Sequence, residues 1–125
     1  MERVTGIGGV FFKAKDPKAL AAWYEKHLGI AFGGQSYASF SWKNDQNPDG
    51  EGQTAFSFFK QDTDYFAPST SPFMINFRVK NLDALLAVLK EEGIPGEKAP
   101  SEEYGKFGWI VDPEGNKIEL WEPVD

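Results

Sequence analysis

The chain has 125 residues, a net charge of −6 and no cysteine. Its length fits one domain, and without clustered Lys and Arg it offers no surface suited to nucleic acid or to an anionic membrane. The lack of cysteine excludes disulfides, thiolate zinc sites and a cysteine nucleophile. Because we find neither a membrane-length apolar run nor the apolar core of a signal peptide, we expect a cytoplasmic protein.

A repeat at an offset of 65 residues divides the chain, because Gly9–His27 and Met74–Glu92 share the same order of residue types. Each unit contains strand-forming residues, a helix-capping residue, an amphipathic stretch and a terminating glycine. The repeat predicts one domain over residues 1–125, built from a first module over 1–62 and a second over 72–125. A polar connection, Gln61–Ser71, is predicted to join the two modules, which we expect to be related by a pseudo-two-fold axis.

The first unit predicts a strand at Val10–Ala14 followed by a helix over Pro17–Leu28. Asp16 precedes that helix and can accept hydrogen bonds from its free N–H groups, while proline is favoured at the first helical position. Gly29 provides the stop. Three strand signals follow the helix, and a polar loop over Asn44–Gln53 separates the last two. These predicted strands are Ile30–Phe32, Tyr37–Trp42 and Thr54–Phe59.

The second unit repeats the pattern, with a strand at Phe73–Val79, a cap at Asn81 and a helix over Leu82–Glu92 that ends at Gly93. A Pro-Gly turn then joins the last two of three predicted strands. The element order is therefore βαβββ twice, with the helices outside. The three strands are Glu97–Ala99, Phe107–Val111 and Asn116–Trp121.

Alternation along Phe73–Val79 separates two faces of the predicted sheet. The odd positions are all apolar and should pack beneath the second helix, whereas Met74, Asn76 and Arg78 point to the opposite face. A Met–Asn–Arg row suits a cavity with a few placed polar groups. A plain solvated face is the alternative.

The last strand gives the same division, because its apolar positions alternate with Lys117, Glu119 and Trp121. Glu119 could be a metal ligand, a general base or the ion-pair partner of Arg78. Tyr104, Phe107 and Trp109 form an aromatic group beside a loop, which could line a pocket or belong to the core. His27 lies at the end of the first helix, where an imidazolium favours the helix dipole.

Two stretches carry a family resemblance. D-P-K-A-L-A-A-W-Y-E-K-H-L-G-I at Asp16–Ile30 and D-P-E-G-N-K-I-E-L-W-E-P at Asp112–Pro123 resemble the vicinal oxygen chelate superfamily. This is the group of glyoxalases, bleomycin-resistance proteins and extradiol dioxygenases, and the resemblance covers essentially the whole chain. It implies an α+β fold in which two βαβββ modules form a cupped mixed sheet around a small-molecule cavity. It also implies a homodimer.

The resemblance further implies where a metal would bind, since family metal enzymes take ligands from the first and last strands of each half. These positions fall on Gly9, the strand Thr54–Phe59, Met74 and Glu119. Glycine has no side chain, a thioether suits hard divalent ions poorly, and the strand contains no carboxylate, histidine or glutamine. Only Glu119 could hold a metal, so we expect no metal cofactor. The alternative is a divalent ion held by Glu119 and by ligands that the substrate supplies.

Two functional hypotheses follow, with a protein-interaction role as a third. The first is a non-enzymatic binder of a small molecule, similar to the bleomycin-resistance branch, whose negative charge would attract a cationic ligand. The second is a lyase or dioxygenase-like enzyme, metal-free or with a reduced metal site, acting on a small carbonyl or aromatic compound. There Glu119 would be the base or metal ligand, and Asn76 and Arg78 would bind an oxyanion. The candidate ligand-binding residues are Met74, Asn76, Arg78, Tyr104, Trp109 and Trp121.

Overall fold

The structure is a computed structural model that describes residues 3–43 and 48–124. Residues 44–47 of the predicted polar loop lie outside this description. Among the described residues no helix has the length and apolar character needed to cross a membrane. In chain order, the elements are β1 Val4–Ala14, α1 Pro17–Leu28, β2 Tyr37–Ser41, β3 Gln53–Lys60, β4 Phe73–Val79, α2 Leu82–Glu91, β5 Glu97–Lys98, β6 Gly105–Val111 and β7 Lys117–Pro123.

The seven strands form one mixed sheet in the order β2-β3-β1-β4-β7-β6-β5. β1 pairs with β3 in parallel, and β4 pairs with β7 in parallel, so the two halves share one arrangement. β1 and β4 lie side by side and antiparallel at the centre, where the halves meet. The α+β class and the mixed sheet are therefore confirmed, while the module limits at residues 62 and 72 stay a prediction.

Both helices begin as their capping residues predict. Asp16 Oδ1 accepts a hydrogen bond from the backbone N–H of Ala19 at 3.1 Å, and Asn81 Oδ1 accepts one from Ala84 at 3.0 Å. Each bond satisfies one of the N–H groups that a helix start leaves without an intrahelical partner. The first helix has the predicted bounds, and the second ends at Glu91, one residue early.

The predicted strand at Ile30–Phe32 is wrong, because this segment runs without a strand partner. Glu25 Oε1 instead accepts hydrogen bonds from the backbone N–H of Phe32 at 2.7 Å and of the following Gly33 at 3.0 Å, and the Phe32 oxygen accepts one from the N–H of Gln35 at 3.1 Å. The Phe32 ring is only 4% exposed and stacks on Phe58. The apolar side chain of Phe32 is therefore part of the core beneath α1. The described residues of the first half form three strands rather than four.

The core has two clusters between the sheet and the helices, one under each helix. Phe77 and Val79 of β4 and Ile118 and Leu120 of β7 belong to the cluster under α2, as alternation predicts. Phe73 departs from that prediction, since it lies at the start of β4 and is 39% exposed. A third cluster lies on the opposite face of the sheet and comprises Phe11, Phe66 and Met74.

Candidate ligand-binding cavity

A cavity of about 660 Å³ lies on the sheet face opposite the helices. Six of the seven strands contribute to its wall, so the sheet curls around it, and the segment between β5 and β6 covers one side. Seven of the sixteen wall residues are aromatic, and they come from both halves of the chain. These are Phe11, Tyr37, Phe59, Tyr65, Tyr104, Phe107 and Trp121.

Glu119 is the buried carboxylate of this cavity, with a residue exposure of 6%. Both of its oxygens accept hydrogen bonds: Asn76 Nδ2 donates to Oε1 at 2.8 Å, and the Tyr65 hydroxyl donates to Oε2 in a short bond. Asn76 and Glu119 are register partners on the parallel strands β4 and β7, which places their side chains together. The pairing satisfies a charge that burial would otherwise leave isolated.

The electrostatics of this group follow from its burial. Loss of solvation raises the pKa of Glu119, although the hydrogen bonds from Tyr65 and Asn76 and the nearby charge of Lys117 oppose the rise. Burial and the Glu119 charge also raise the pKa of Tyr65. Tyr65 therefore stays protonated and remains a hydrogen-bond donor, while Glu119 is a carboxylate that accepts a proton more readily than an exposed one.

Tyr65 is held over Glu119 by contacts on two sides. Its ring stacks on Phe59 with centres 5.4 Å apart, and its backbone oxygen accepts a hydrogen bond from Lys117 Nζ at 2.7 Å. The same ammonium lies 5.1 Å from the Tyr65 ring centre and 4.9 Å from that of Trp109. Burial lowers the pKa of Lys117, and the two rings offset part of the loss of hydration.

Asn76 approaches the backbone of β1 closely. Its side chain is buried, and its Oδ1 has no hydrogen-bond partner within the described ranges. A Cβ atom added to Gly8 would lie 2.2 Å from that oxygen and 3.0 Å from the Trp121 ring. Glycine at position 8 is therefore what allows the Asn76 amide and the Trp121 indole to reach this part of the wall.

The predicted ion pair between Arg78 and Glu119 is wrong. Asn76 occupies the position opposite Glu119, and Arg78 lies two register pairs further along, opposite Trp121. The guanidinium carbon lies 5.0 Å from the Trp42 ring centre and 5.1 Å from that of Trp121. Arg78 lines an adjoining concavity of about 760 Å³, which shares three wall residues with the cavity.

The other residues singled out from the sequence divide into two groups. Tyr104 and Trp121 line the cavity, and the Trp121 Nε1 group donates to the backbone oxygen of Tyr104 at 2.9 Å. Met74 and Trp109 lie on the same sheet face but do not line the cavity: Met74 is 1% exposed within the buried cluster, and Trp109 packs against Lys117.

The sequence-based selection missed Tyr65, the direct partner of Glu119, and also missed Trp42, which contacts Arg78. Tyr65 is separated from Glu119 by 54 positions in the chain, so no local pattern joins them. One signal was present, since Tyr65 and Phe66 are adjacent aromatic residues in an otherwise polar connection. An aromatic pair in such a segment indicates docking against a surface rather than a free loop.

The residues present do not fit the four-ligand metal site that the fold family implies. A Cβ at Gly9 would lie 2.7 Å from the Phe11 ring, so no side chain has room there. Met74 is buried, and both oxygens of Glu119 already accept hydrogen bonds. Across residues 3–43 and 48–124, no three His, Asp or Glu side chains come together as metal ligands would.

Solved structures of the same fold include the methylmalonyl-CoA epimerase from Mycobacterium tuberculosis, with 21% identity, a TM-score of 0.63, and coverage of 98% of this chain and 90% of that chain. A variant of the Streptomyces coelicolor methylmalonyl-CoA epimerase has 14% identity, a TM-score of 0.68, and coverage of 98% and 100%. A glyoxalase/bleomycin resistance protein/dioxygenase superfamily member from Vibrio splendidus 12B01 has 14% identity, a TM-score of 0.57, and coverage of 98% and 99%. At these identities the likeness shows the fold.

A comparison with curated protein sequences finds no significant match. The family model of the Glyoxalase/Bleomycin resistance protein/Dioxygenase superfamily matches residues 6–120, which include both halves of the sheet and Glu119. This chain therefore belongs to the Glyoxalase/Bleomycin resistance protein/Dioxygenase superfamily.

Proposed function

We propose that this protein binds a small molecule with a flat, largely apolar body in the cavity, without converting it chemically. The observation that carries the proposal is the buried Glu119 with its two hydrogen-bond donors, set in a cavity whose wall contains seven aromatic side chains. A volume of about 660 Å³ lies within the range of small-molecule sites, which combine apolar walls with a few placed polar groups.

The polar end of the ligand lies beside Glu119 in this proposal and is a hydrogen-bond donor, such as an amine, amide or hydroxyl. An ionised carboxylate accepts about four hydrogen bonds and donates none, so Glu119, which accepts one from Tyr65 and one from Asn76, can still accept one from a ligand donor. The rings also present their negative faces to a positively polarised group.

A fragment screen tests this proposal. One- and two-ring fragments are screened by saturation-transfer difference NMR against the wild type and two alanine-to-phenylalanine variants. Ala55→Phe places a ring in the cavity wall, whereas Ala22→Phe lies on an exposed position of α1. We expect binding to the wild type and to Ala22→Phe, and loss of binding in Ala55→Phe. If a folded Ala55→Phe binds the fragments as well as the wild type, the cavity is not the binding site.

A metal-free site is part of the proposal. We expect less than about a tenth of an equivalent of zinc, nickel, manganese or iron in protein purified without chelators, and fragment binding that EDTA does not change. The reason is that Glu119 alone supplies too few ligands for a divalent ion. Stoichiometric metal that is lost in Glu119→Gln would contradict this.

An acid–base enzyme is the second candidate, and the raised pKa of Glu119 favours it. A buried carboxylate whose pKa is raised accepts a proton more readily, so it can remove a proton next to a carbonyl group and return it. The discriminating measurement is hydrogen–deuterium exchange, followed by NMR in D₂O, of small carbonyl compounds with an acidic C–H. The enzyme requires exchange that disappears in Glu119→Gln, whereas a binding protein leaves the compounds unlabelled.

We also propose that the protein is a cytoplasmic homodimer. Lack of cysteine is compatible with a reducing compartment, and cell fractionation of the tagged chain tests the location. The dimer protects the open edge of the sheet at β2, where Tyr37 is 56% and Phe40 is 47% exposed, because an unpaired edge strand invites association.

A further inference from the structure

We propose that Arg78 is the centre of a second subsite, which binds a carboxylate or phosphate group of the ligand held in the cavity. This inference rests on the proposed function and specifies its ligand class. The Arg78 concavity and the cavity share Gln53, Tyr104 and Trp121 as wall residues, so one small molecule can occupy both.

Among the residues that the structure describes, Arg78 has no anionic partner, although the chain is rich in acidic residues. The chain has two arginines, and the other one, Arg3, forms an ion pair with Glu92 at 3.1 Å. The structure gives the half-buried Arg78 guanidinium neither a hydrogen bond nor an ion pair to any residue in 3–43 or 48–124. A partly desolvated guanidinium without an acceptor retains its capacity to bind one.

The contacts that Arg78 does make leave its donors available. Its guanidinium lies over the rings of Trp42 and Trp121, at 5.0 and 5.1 Å from their centres. Cation–π contacts of this kind offset the loss of hydration without using an N–H donor. A planar guanidinium with free N–H groups matches two anionic oxygens in a bidentate arrangement.

Three glycines make room for this arrangement. An added Cβ would lie 2.6 Å from the Trp42 ring at Gly6, 3.1 Å from Arg78 Cγ at Gly8, and 3.2 Å from Arg78 Cζ at Gly52. A side chain at any of the three positions would force Arg78 or Trp42 to move. The absence of a side chain at these three positions therefore leaves the space that the Arg78 side chain and the Trp42 ring occupy.

The spacing along β4 indicates the shape of the ligand. Asn76, which binds Glu119, and Arg78 point to the same face two residues apart, a separation of roughly 7 Å along a strand. The ligand would place a hydrogen-bond donor at Glu119, its rings against Trp121 and its anionic group at Arg78. Such a molecule is an aryl or fused-ring carboxylate or phosphate with a donor at its far end.

Two acidic residues line the same concavity. Glu51 and Glu103 are exposed, so water and salt screen their charges, and neither forms an ion pair with Arg78. They weaken anion binding without preventing it. Replacing one of them should therefore raise the affinity for an anion.

The experiment uses matched one- and two-ring fragments, each as an aryl carboxylate, its primary carboxamide and the corresponding aryl phosphate. Dissociation constants are measured at pH 7.5 by chemical-shift titration of the tryptophan indole N–H signals. The proteins are the wild type, Arg78→Gln, Arg78→Lys, Glu103→Gln and the control Arg3→Gln. The carboxylate and phosphate arms identify which anionic group the subsite prefers.

The carboxylate or the phosphate should bind the wild type at least about tenfold more tightly than the carboxamide. Arg78→Gln should remove that difference by weakening anion binding far more than carboxamide binding, Arg78→Lys should retain part of it, and Glu103→Gln should increase it. Arg3→Gln should match the wild type. If the carboxylate and the phosphate bind no more tightly than the carboxamide and Arg78→Gln has no effect on any of them, the anion subsite is wrong and the cavity proposal stands. If no fragment of any class binds the folded wild type, both proposals are overturned.

Discussion

Glu119 is a charged side chain whose burial costs free energy that other contacts must offset. Its carboxylate is buried at the centre of the sheet, and the protein compensates with two hydrogen bonds, from Tyr65 and Asn76, and with the nearby charge of Lys117. An unpaired buried charge would be expensive, whereas a fully bonded one is tolerated. The cost that remains is seen in the raised pKa of the group, which links the stability of the fold to pH.

Glu119→Gln should change how stability depends on pH. Because the folded pKa is raised above the ordinary value of 4.5, the folded state binds more protons than the unfolded state between the two pKa values. The contribution of Glu119 to the free energy of unfolding is therefore largest below about pH 4.5 and falls as pH rises through the folded pKa. The loss is about 1.4 kcal/mol for each pH unit that separates the folded pKa from the unfolded one.

Urea denaturation from pH 4 to 8 measures this dependence and should show that Glu119→Gln loses less stability than the wild type as pH rises. Glu114→Gln, in an exposed turn, is the control and should follow the wild type. Parallel curves for all three proteins would contradict the prediction.

Tyr65→Phe should destabilise the protein by about 1–3 kcal/mol near pH 7, since it leaves one oxygen of a buried carboxylate without a donor. The loss should be smaller below the pKa of Glu119, where that carboxyl group is protonated. Thermal denaturation at two pH values measures the difference. Tyr37→Phe is the matched control, because Tyr37 lines the same cavity but is 56% exposed. Equal effects of the two substitutions would mean that the Tyr65–Glu119 bond contributes nothing.

At the scale of elements, the connection between the two halves supports the site. Phe66, in this connection, is fully buried and packs against Phe59 and in the cluster with Phe11 and Met74. Its neighbour Tyr65 is thereby brought to the open side of the sheet. This segment, whose sequence is mostly polar, thus places the buried Phe66 next to Tyr65, the hydrogen-bond partner of Glu119.

Phe66→Ala should lower the free energy of unfolding by about 3–5 kcal/mol, the range for removing a fully buried ring from a core. It should also weaken fragment binding in the molecules that remain folded, because Tyr65 loses its anchor. Chemical denaturation and the NMR titration give the two readouts. Phe40→Ala, at a 47% exposed position of β2, should alter stability by less than about 1 kcal/mol. A small effect of Phe66→Ala would show that the connection is not held by this ring.

At the scale of the whole molecule, one sheet serves two purposes. The face toward α1 and α2 is filled with apolar side chains, while the opposite face combines a buried cluster, a cavity and the Arg78 concavity. The sheet ends at β2 on one side and at the two-residue strand β5 on the other. A short edge strand limits association at β5, so β2 is the edge left to be protected.

Light scattering at micromolar concentration should give a mass of about 28 kDa, twice the 14.0 kDa of one chain, because most soluble oligomers are symmetric dimers. Phe40→Lys should shift the mass toward a monomer by placing a charge beside the β2 edge. Lys18→Glu, on the exposed start of α1, should leave the mass unchanged. A wild-type mass equal to that of one chain would contradict the dimer.

By itself, the sequence determined those structural features that depend on residues close together in the chain. Caps at Asp16 and Asn81 predicted the helix starts, because capping acts over three residues. Alternation of side chains predicted that Asn76 and Glu119 share a face, since a strand has a period of two. The strand predicted at Ile30–Phe32 is wrong because an apolar segment packed under a helix has the same sequence pattern as a buried strand.

Only the tertiary structure decided which side chains meet. Glu119 pairs with Asn76 and Tyr65 rather than with Arg78, because strand register and the docking of a distant connection choose its partners. Arg78 instead contacts Trp42, which follows β2 at the opposite edge of the sheet from β5. Contacts between residues far apart in the chain depend on the packing of the whole sheet, and no periodicity in the sequence encodes them. The order of helices and strands could therefore be predicted from local patterns and the repeat, and the cupped sheet from the family resemblance, whereas the contacts in the cavity depend on the assembled sheet.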